Sequence, residues 1–181
     1  MKMIKNNLLK LFSGDIVIAK NMISMAKSCG ADCVKFQKSD LKAKFNKEAL
    51  QRPYNSPHSF GATYGEHKRH LEFSEEQYKE LQIFCENEVK IAMTASAMDE
   101  NSVDFLDKDL NVPFIKVGSG DVNNHFVLEK VAKLKSRNAV VSTGMADFHQ
   151  VKGIYELFKQ YRNNFVLMQC TSTYPTPPEG L

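Results

Sequence analysis

Strand-like and helix-like segments alternate along this chain, and this alternation limits the possible folds more than any other feature. Five short runs are rich in Val, Ile, Phe or Met, end in small or polar residues, and are interpreted as buried β-strands. They cover residues 31–37, 89–96, 112–118, 138–144 and 165–171. Because a connection between parallel strands needs roughly a dozen residues or more, strands separated by helices predict an α/β fold with a parallel sheet.

The segments between the strands carry signals for the start of a helix. The candidate N-caps are Asp15, Ser74, Asp99, Asn123 or Asn124, and Asp147. Ser74 is followed three residues later by Gln77, which is a capping-box pattern. Each cap precedes apolar residues at helical spacing, and Gly30 is a candidate C-cap for the first helix. We therefore expect amphipathic helices that cover the sheet.

The spacing of the strands favours a barrel. The last four strands begin at residues 89, 112, 138 and 165, so that they are 23, 26 and 27 residues apart. This regular period is typical of a (β/α) barrel, although spacing alone does not exclude a doubly wound open sheet. Eight such units need roughly 210 residues before additions, near the ~250 of a closed barrel. The 181 residues therefore predict a partial TIM barrel.

One connection departs from this period. Residues 38–73 follow the first predicted strand and are rich in Pro, Tyr, His, Lys and Arg. A loop of this length after a strand is more often functional than structural. His67 and His70 stand three apart on this polar stretch, and we expect both side chains to be solvated.

Composition excludes several classes of function. The net charge of +3 comes from 24 basic and 21 acidic residues spread along the chain, so nucleic-acid binding has little support and a small anionic ligand fits better. No apolar run approaches the ~18 residues of a membrane span, and residues 1–12 do not resemble a signal peptide. We therefore expect a cytoplasmic protein. The four cysteines fit neither a zinc motif nor a disulfide framework, and we expect buried free thiols and no metal site.

In both architectures the ligand lies at the carboxyl ends of the strands. Alternation places Lys35 and Gln37 on one side of their strand, and Lys116 and Gly118 on one side of theirs. Two inward lysines among hydroxyl groups and glycine-flanked amides form a pocket for a phosphate or carboxylate. These residues favour an enzyme with an anionic ligand, and they leave open a non-catalytic α/β scaffold or binding module.

Several segments at the strand ends form a recognisable set. They are GADCVKFQ at 30–37, YGEHKRHLEFS at 64–74, VPFIKVGSGD at 112–121, STGM at 142–145 and QCTSTYP at 169–175. Together they resemble the sialic acid synthase family over roughly residues 14–179. The stretch RPYNSPHSFG at 52–61 is similar to the animal branch of that family. The animal enzymes use N-acetylmannosamine 6-phosphate, and the bacterial relatives use N-acetylmannosamine.

The resemblance implies a TIM-barrel transferase that condenses phosphoenolpyruvate with N-acetylmannosamine 6-phosphate to give N-acetylneuraminate 9-phosphate and phosphate. A divalent metal, Mn²⁺ or Mg²⁺, would polarise the sugar aldehyde. The family also implies a homodimer. An alternative is another phosphate-handling α/β enzyme, such as a different aldolase-type barrel.

The resemblance also assigns substrate-binding residues. Lys35 and Lys116 would hold the phosphate and carboxylate of phosphoenolpyruvate. The short donors to this substrate would be Ser96, Ser119, Ser142 and Ser172. The residues facing the sugar would be Gln37, Asp121 and Tyr174. The candidates for its phosphate, by charge and position in the long loop, are Lys42, Lys44, Arg52, Lys68 and Arg69.

Some family features have no counterpart in this sequence. Residues 1–13 stand in place of a first strand that carries a catalytic Glu in the family, and they contain no acidic residue. The two metal-binding histidines and the C-terminal antifreeze-like domain follow the region matched here. We therefore expect residues 14–181 to form five to six of eight βα units of an incomplete, inactive fragment. The alternative is a non-catalytic paralogue that binds phosphoenolpyruvate or associates with another subunit.

Overall fold

The structure is a computed structural model that describes residues 3–5, 14–134, 137–161, 163–173 and 176–177, with the backbone alone for 3–5. The contacts between residues divide the chain into two compact units, Met1–Ala95 and Ser96–Leu181. No helix in the described ranges has the length and apolar character needed to cross a bilayer.

The first unit combines strands with a series of helices. Its elements are β1 (Met3–Lys5), α1 (Ile16–Ser28), β2 (Cys33–Lys38), α2 (Leu41–Lys44), α3 (Lys47–Gln51), α4 (Tyr64–Leu71), α5 (Glu75–Ile83), a π-helical segment (Phe84–Val89) and the start of β3 (Ala92–Ala97). Strands β1 and β2 are parallel, with Met3 opposite Cys33 and Lys5 opposite Lys35. The sequence did not predict β1, because a run of three residues is too short to show a period.

Helix α1 begins and ends as its sequence predicts. Asp15 accepts hydrogen bonds from the N–H groups of Val17 at 2.8 Å and Ile18 at 3.1 Å. Gly30 follows the helix at φ +80°, where a residue without Cβ is favoured, and Ala31 N–H donates to the Ala26 carbonyl. The helix buries the apolar face formed by Ala19, Ile23 and Ala26.

The segment 38–73 is a folded insertion and not an irregular loop, so that part of the prediction was wrong. It contains α2, α3 and α4, and Pro53 and Thr63 form an antiparallel bridge. The expectation for His67 was also wrong, because its side chain is 8% exposed. His70 is exposed, as predicted, and stacks on Phe60 with ring centroids 4.4 Å apart.

An aromatic cluster fixes the carboxyl end of β2. Phe36, Phe73 and Tyr78 pack edge to face, with ring centroids 6.0 to 6.2 Å apart. The hydroxyl group of the buried Tyr78 donates a hydrogen bond to the carbonyl oxygen of Gln37. Because burial removes water from the phenol, the pKa of Tyr78 lies well above its ordinary value. A neutral donor inside the unit therefore holds the backbone at the end of β2.

The second unit starts within β3 and continues the alternation. Its elements after β3 are α6 (Glu100–Asp104), a π-helical segment (Phe105–Asp109), β4 (Phe114–Val117), a 3₁₀ turn (Ser119–Asp121), α7 (His125–Lys133), β5 (Asn138–Ser142), α8 (Phe148–Gln160) and β6 (Phe165–Met168). Ser96 of β3 pairs with Lys116 of β4, β4 pairs with β5, and β5 pairs with β6, all in parallel. The predicted α/β class with parallel strands is confirmed.

The helix starts of this unit also agree with the sequence. Asp99, Asn124 and Asp147 accept backbone N–H groups at the first turns of α6, α7 and α8. Tyr155, one of the apolar residues at helical spacing after Asp147, is 43% exposed and packs edge-on against Phe165. The fully buried residues of the core include Val103, Leu106, Leu110, Ile115, Val117, Leu128 and Phe158.

Three predicted strands begin later than expected. The strand predicted from residue 31 starts at Cys33. Val89 belongs to the π-helical segment after α5, and Lys90 at φ 56° ends that segment before β3 starts at Ala92. The predicted strand from residue 112 starts at Phe114. In each case a buried apolar residue, Ala31, Ile91 or Val112, lies just before the strand, and a hydrophobic pattern does not distinguish such a residue from the strand itself.

The four cysteines form no disulfide. Cys33 and Cys85 are buried thiols, as predicted, and burial raises their pKa to about 11 and about 12. The prediction was wrong for Cys29, which is exposed, and for Cys170, which is only partly buried.

Candidate functional site

A buried lysine joins the ends of two neighbouring strands in the second unit. Lys116 of β4 is 2% exposed, and its Nζ donates to the hydroxyl oxygen of Ser142 at 2.6 Å and to the carbonyl of Val117 at 2.5 Å. Ser96 pairs with Lys116 across β3 and β4, and paired residues of parallel strands face the same side. A buried ammonium loses hydration, so contact with an anion is favourable there.

Two more hydroxyl groups converge on the glycine that follows β5. The Gly144 N–H donates to Ser119 Oγ at 3.1 Å. A Cβ atom placed on Gly144 would lie 2.4 Å from Ser172 Oγ and 2.7 Å from Ser119 Oγ. A side chain at this position would therefore require both hydroxyl groups to move. Because Ser119 Oγ accepts from a backbone amide, its O–H hydrogen can donate to a ligand.

Backbone hydrogen bonds hold these strand ends in place. Thr143 donates from both its N–H and its hydroxyl to the Met168 carbonyl, at 3.1 and 3.0 Å. The segment after β4 turns tightly, with Asp121 N–H donating to the Gly118 carbonyl at 3.0 Å. Asp121, proposed to face the sugar, is 5% exposed within this turn. Hydrogen bonds thus fix the backbone next to Ser119 and Ser142.

Lys35 and Gln37 belong to the first unit, at the carboxyl end of β2. Lys35 is 8% exposed, and its Nζ lies 3.4 Å from the Phe36 carbonyl oxygen. Its positive charge lowers the pKa of Cys33, two residues earlier, although burial outweighs it. Gln37 is half-buried, and Tyr78 fixes its carbonyl.

Most of the predicted site residues of the second unit are therefore grouped at the strand ends. Lys116 contacts Ser142 and pairs with Ser96 across β3 and β4. The hydroxyl groups of Ser119 and Ser172 lie close to Gly144. Tyr174 lies outside the described residues. Gly144 and Thr143 were not predicted as site residues. Their signal was the Ser-Thr-Gly sequence at the end of a strand, which is usually only a turn.

The basic residues of the insertion separate into two groups. Arg52 and Lys68 lie over the Tyr64 ring, 4.5 and 5.5 Å from its centroid, and Lys44 lies 6.0 Å from the Phe45 centroid. Lys42 and Arg69 instead line a cavity of about 560 Å³ between α2, α3 and α4. In the sequence, the charge of these residues and their position in the insertion did not reveal which of them contact aromatic rings and which line the cavity.

The described residues do not provide a metal site. No cluster of three or more His, Cys, Asp or Glu side chains forms a candidate ligand set in the described ranges. The hydroxyl groups and lysine at the strand ends suit an anion and not a divalent cation. These residues therefore do not fit the metal implied by the resemblance, and we assign no chemical step to a metal.

Two curated proteins that this chain resembles are N-acetylneuraminate-9-phosphate synthases. The chain is 60% identical over 168 residues to the N-acetylneuraminate-9-phosphate synthase of Homo sapiens, with 93% of this chain and 46% of the human protein covered. It is 51% identical over 167 residues to the synthase of the same name from Drosophila melanogaster, covering 92% of this chain and 44% of that protein. The chain thus spans about half the length of the curated relatives it matches.

The fold also has a close counterpart among solved structures. The sialic acid synthetase of Leptospira borgpetersenii matches with a TM-score of 0.75 at 22% identity, over 94% of this chain and 54% of that one. This likeness confirms the predicted fold class, part of a (β/α) barrel. The model of the NeuB family matches residues 22–181. The predicted resemblance to sialic acid synthases is therefore confirmed, and the chain belongs to the NeuB family.

Proposed function

We propose that this chain carries the phosphoenolpyruvate-binding part of an N-acetylneuraminate-9-phosphate synthase. The observation that carries the proposal is the buried contact between Lys116 Nζ and Ser142 Oγ at the ends of β4 and β5. A buried ammonium next to short hydroxyl donors suits a ligand with both a phosphate and a carboxylate. The 60% identity to the human synthase supports this choice of ligand.

In this proposal each strand end has a distinct role. Lys116 neutralises an anionic group of the substrate, and Ser142 holds the ammonium in position. Ser119 and Ser172 donate from the hydroxyl groups that meet at Gly144. The remaining roles rest on the resemblance. Lys35 and Ser96 would bind phosphoenolpyruvate. The residues that would face the sugar are Gln37, Asp121 and Tyr174.

The proposed reaction joins two substrates and consumes one water molecule. The enol carbon of phosphoenolpyruvate forms a bond to the aldehyde carbon of open-chain N-acetylmannosamine 6-phosphate. Water adds to the resulting cationic carbon, and phosphate leaves by cleavage of its C–O bond. A pocket of fixed donors favours this course because it stabilises the charged oxygens without having to reorganise.

A second candidate function is binding without catalysis. Strand β1 holds Met3, Ile4 and Lys5 where the family resemblance implies a catalytic Glu, and residues 1–13 contain no acidic side chain. A chain of this kind would bind phosphoenolpyruvate and release no phosphate. We further propose a cytoplasmic location, a homodimer as in the family, and a partial barrel domain at residues 14–181.

Titration with phosphoenolpyruvate tests the proposed site. Lys116→Met removes the charge but keeps a long, flexible side chain, so we expect affinity to fall at least about tenfold with no loss of folding stability. Lys152→Met, on the exposed surface of α8, is the control and should bind within about twofold of the original chain. Equal affinity of Lys116→Met and the original chain would refute the site.

A phosphate-release assay separates the two candidate functions. The chain is mixed with Mn²⁺, phosphoenolpyruvate and N-acetylmannosamine 6-phosphate. Release of phosphate that depends on the sugar favours catalysis by this chain. Calorimetric binding of phosphoenolpyruvate without any release favours the second candidate.

A further inference from the structure

Met145, which follows Gly144 after the end of β5, has a backbone conformation that is rare for its residue type. Its φ is 66°, in the left-handed region where a Cβ atom crowds the backbone. The Ala146 N–H donates to the Thr143 carbonyl at 3.2 Å, so that residues 143–146 form a turn with Met145 in the third position. Glycine or asparagine is usual at this position when φ is positive. The backbone at Met145 is therefore strained.

The end of a helix does not explain this strain. In the described part of the chain, the other residues with positive φ, glycine apart, are Lys90 and Asn111. Each of them follows a π-helical segment, where a left-handed residue is common because it ends the helix. Met145 instead follows a strand. Gly144, which could adopt a positive φ without strain, does not have one.

The turn is held by hydrogen bonds of the two residues that precede Met145. Thr143 donates from its N–H and its hydroxyl group to the Met168 carbonyl, and the Gly144 N–H donates to Ser119 Oγ at 3.1 Å. Strained residues that the surrounding structure holds in place are concentrated at ligand sites. The turn that carries Met145 shares Gly144 with the proposed phosphoenolpyruvate site.

The side chain of Met145 is largely exposed beside this site. It is 74% exposed, although a thioether side chain of this size gains free energy from burial. Consecutive Cα atoms are about 3.8 Å apart, so Met145 begins next to the point where the hydroxyl groups of Ser119 and Ser172 meet. Methionine is unbranched and adapts its shape to what it contacts. The strained turn thus places a flexible apolar side chain at the edge of a polar site.

We propose that the Met145 side chain folds over bound phosphoenolpyruvate and contacts its carbon skeleton. The inference rests on the proposed function for the identity of the ligand, and it adds an apolar contact to a substrate whose charged groups meet Lys116 and the serine hydroxyl groups. An apolar cover excludes water from the contact between the Lys116 ammonium and the anion. The attraction between two charges is stronger where water is excluded, and salt screens it less. Met145 thereby raises the affinity and lowers its dependence on salt.

Calorimetric titration with phosphoenolpyruvate at two salt concentrations tests the proposal. Met145→Gly removes the side chain and relieves the strain, whereas Met145→Leu keeps an apolar side chain of similar size. The control is Lys90→Gly, which replaces another residue of positive φ, at 56°, that precedes the amino end of β3. Thermal melts of all variants report their folding.

We expect Met145→Gly to melt about 1–3 °C higher than the original chain, because glycine has no strain at this φ. The same variant should bind phosphoenolpyruvate at least about fivefold more weakly. Its affinity should also fall more steeply than that of the original chain from about 50 to about 300 mM salt. Met145→Leu and Lys90→Gly should bind within about twofold of the original chain. A methionine with a merely structural role gives neither the loss of affinity nor the steeper salt dependence.

Equal affinity of Met145→Gly and the original chain overturns the proposal while the proposed function stands. Equal losses of affinity in Met145→Gly and Met145→Leu overturn it as well, because an apolar cover requires only an apolar side chain of this size. The salt dependence separates the proposed contact from damage to the fold, since a general loss of packing lowers the affinity equally at both salt concentrations. If the original chain does not bind phosphoenolpyruvate at all, the proposed function and this inference both fail.

Discussion

Lys38 and Glu72 form an ion pair of 2.9 Å that joins the two ends of the insertion. The same Glu72 oxygen accepts the N–H of Ser39 at 3.2 Å. The two side chains are only 11% and 20% exposed, so water screens the pair weakly. One carboxylate thus joins the first and last residues of a segment that contains three helices.

Glu72→Gln should loosen the insertion. The amide keeps an oxygen acceptor but loses its charge, and Lys38 is left as a largely buried cation, so we expect a loss of about 1–3 kcal/mol in the free energy of unfolding. Urea denaturation measures this loss. The matched control is Glu80→Gln, because the Lys20–Glu80 pair has a similar distance of 2.7 Å with side chains 30% and 52% exposed.

The control should cost less than about 1 kcal/mol, because exposed ion pairs contribute little. Proteolysis adds a second readout, since cleavage between residues 41 and 71 should accelerate in Glu72→Gln and not in Glu80→Gln. Equal effects of the two substitutions would mean that the pair at the base of the insertion has no special role.

Gly144→Ala should disturb the proposed phosphoenolpyruvate site. The added Cβ would stand 2.4 Å from Ser172 Oγ and 2.7 Å from Ser119 Oγ, so both hydroxyl groups have to move. We expect affinity for phosphoenolpyruvate to fall about tenfold and stability to fall by about 1–3 kcal/mol, as in overpacked sites. Titration calorimetry and urea denaturation measure the two effects.

Gly153→Ala is the control for this substitution. Gly153 lies within α8, and a Cβ there meets no atom within 4 Å. Alanine in a helix is favoured over glycine, so this variant should gain about 0.5–1 kcal/mol without a change in affinity. A Gly144→Ala variant that binds phosphoenolpyruvate normally would show that the hydroxyl groups at this point are not ligands.

The sequence predicted those structural features that depend on residues close to one another along the chain. Asp15 and Asp147 were identified as caps because a capping side chain acts within three residues. The strand ends with Lys116 and Ser142 followed from the alternation of strands and helices. By contrast, the folding of residues 38–73 depends on contacts between distant residues, such as Lys38 with Glu72, which no local pattern contains. The same limit concealed which basic residues line the cavity.

His67 is a buried histidine of the insertion, and its surroundings disfavour the protonated form. Its ring contacts those of Tyr54 and Phe60, with centroids 4.6 and 5.8 Å away, and its Nδ1 accepts the Phe60 N–H at 3.2 Å. Burial lowers the pKa of His67 below its ordinary 6.5, and the charges of Lys68 and His70 lower it further. The folded protein therefore prefers the neutral imidazole.

A group whose pKa is lower in the folded state stabilises the fold above its unfolded pKa, and this contribution is lost as the pH falls. We therefore expect the free energy of unfolding to decrease from pH 7 to pH 5, with part of the decrease due to His67. His67→Gln keeps an oxygen acceptor for Phe60 N–H but does not titrate, so its profile over this range should be flatter. His149→Gln, at an exposed histidine of α8, should retain the original slope. Urea denaturation at half-unit pH intervals measures all three profiles, and a His67→Gln profile as steep as that of the original chain would assign the pH dependence to other groups.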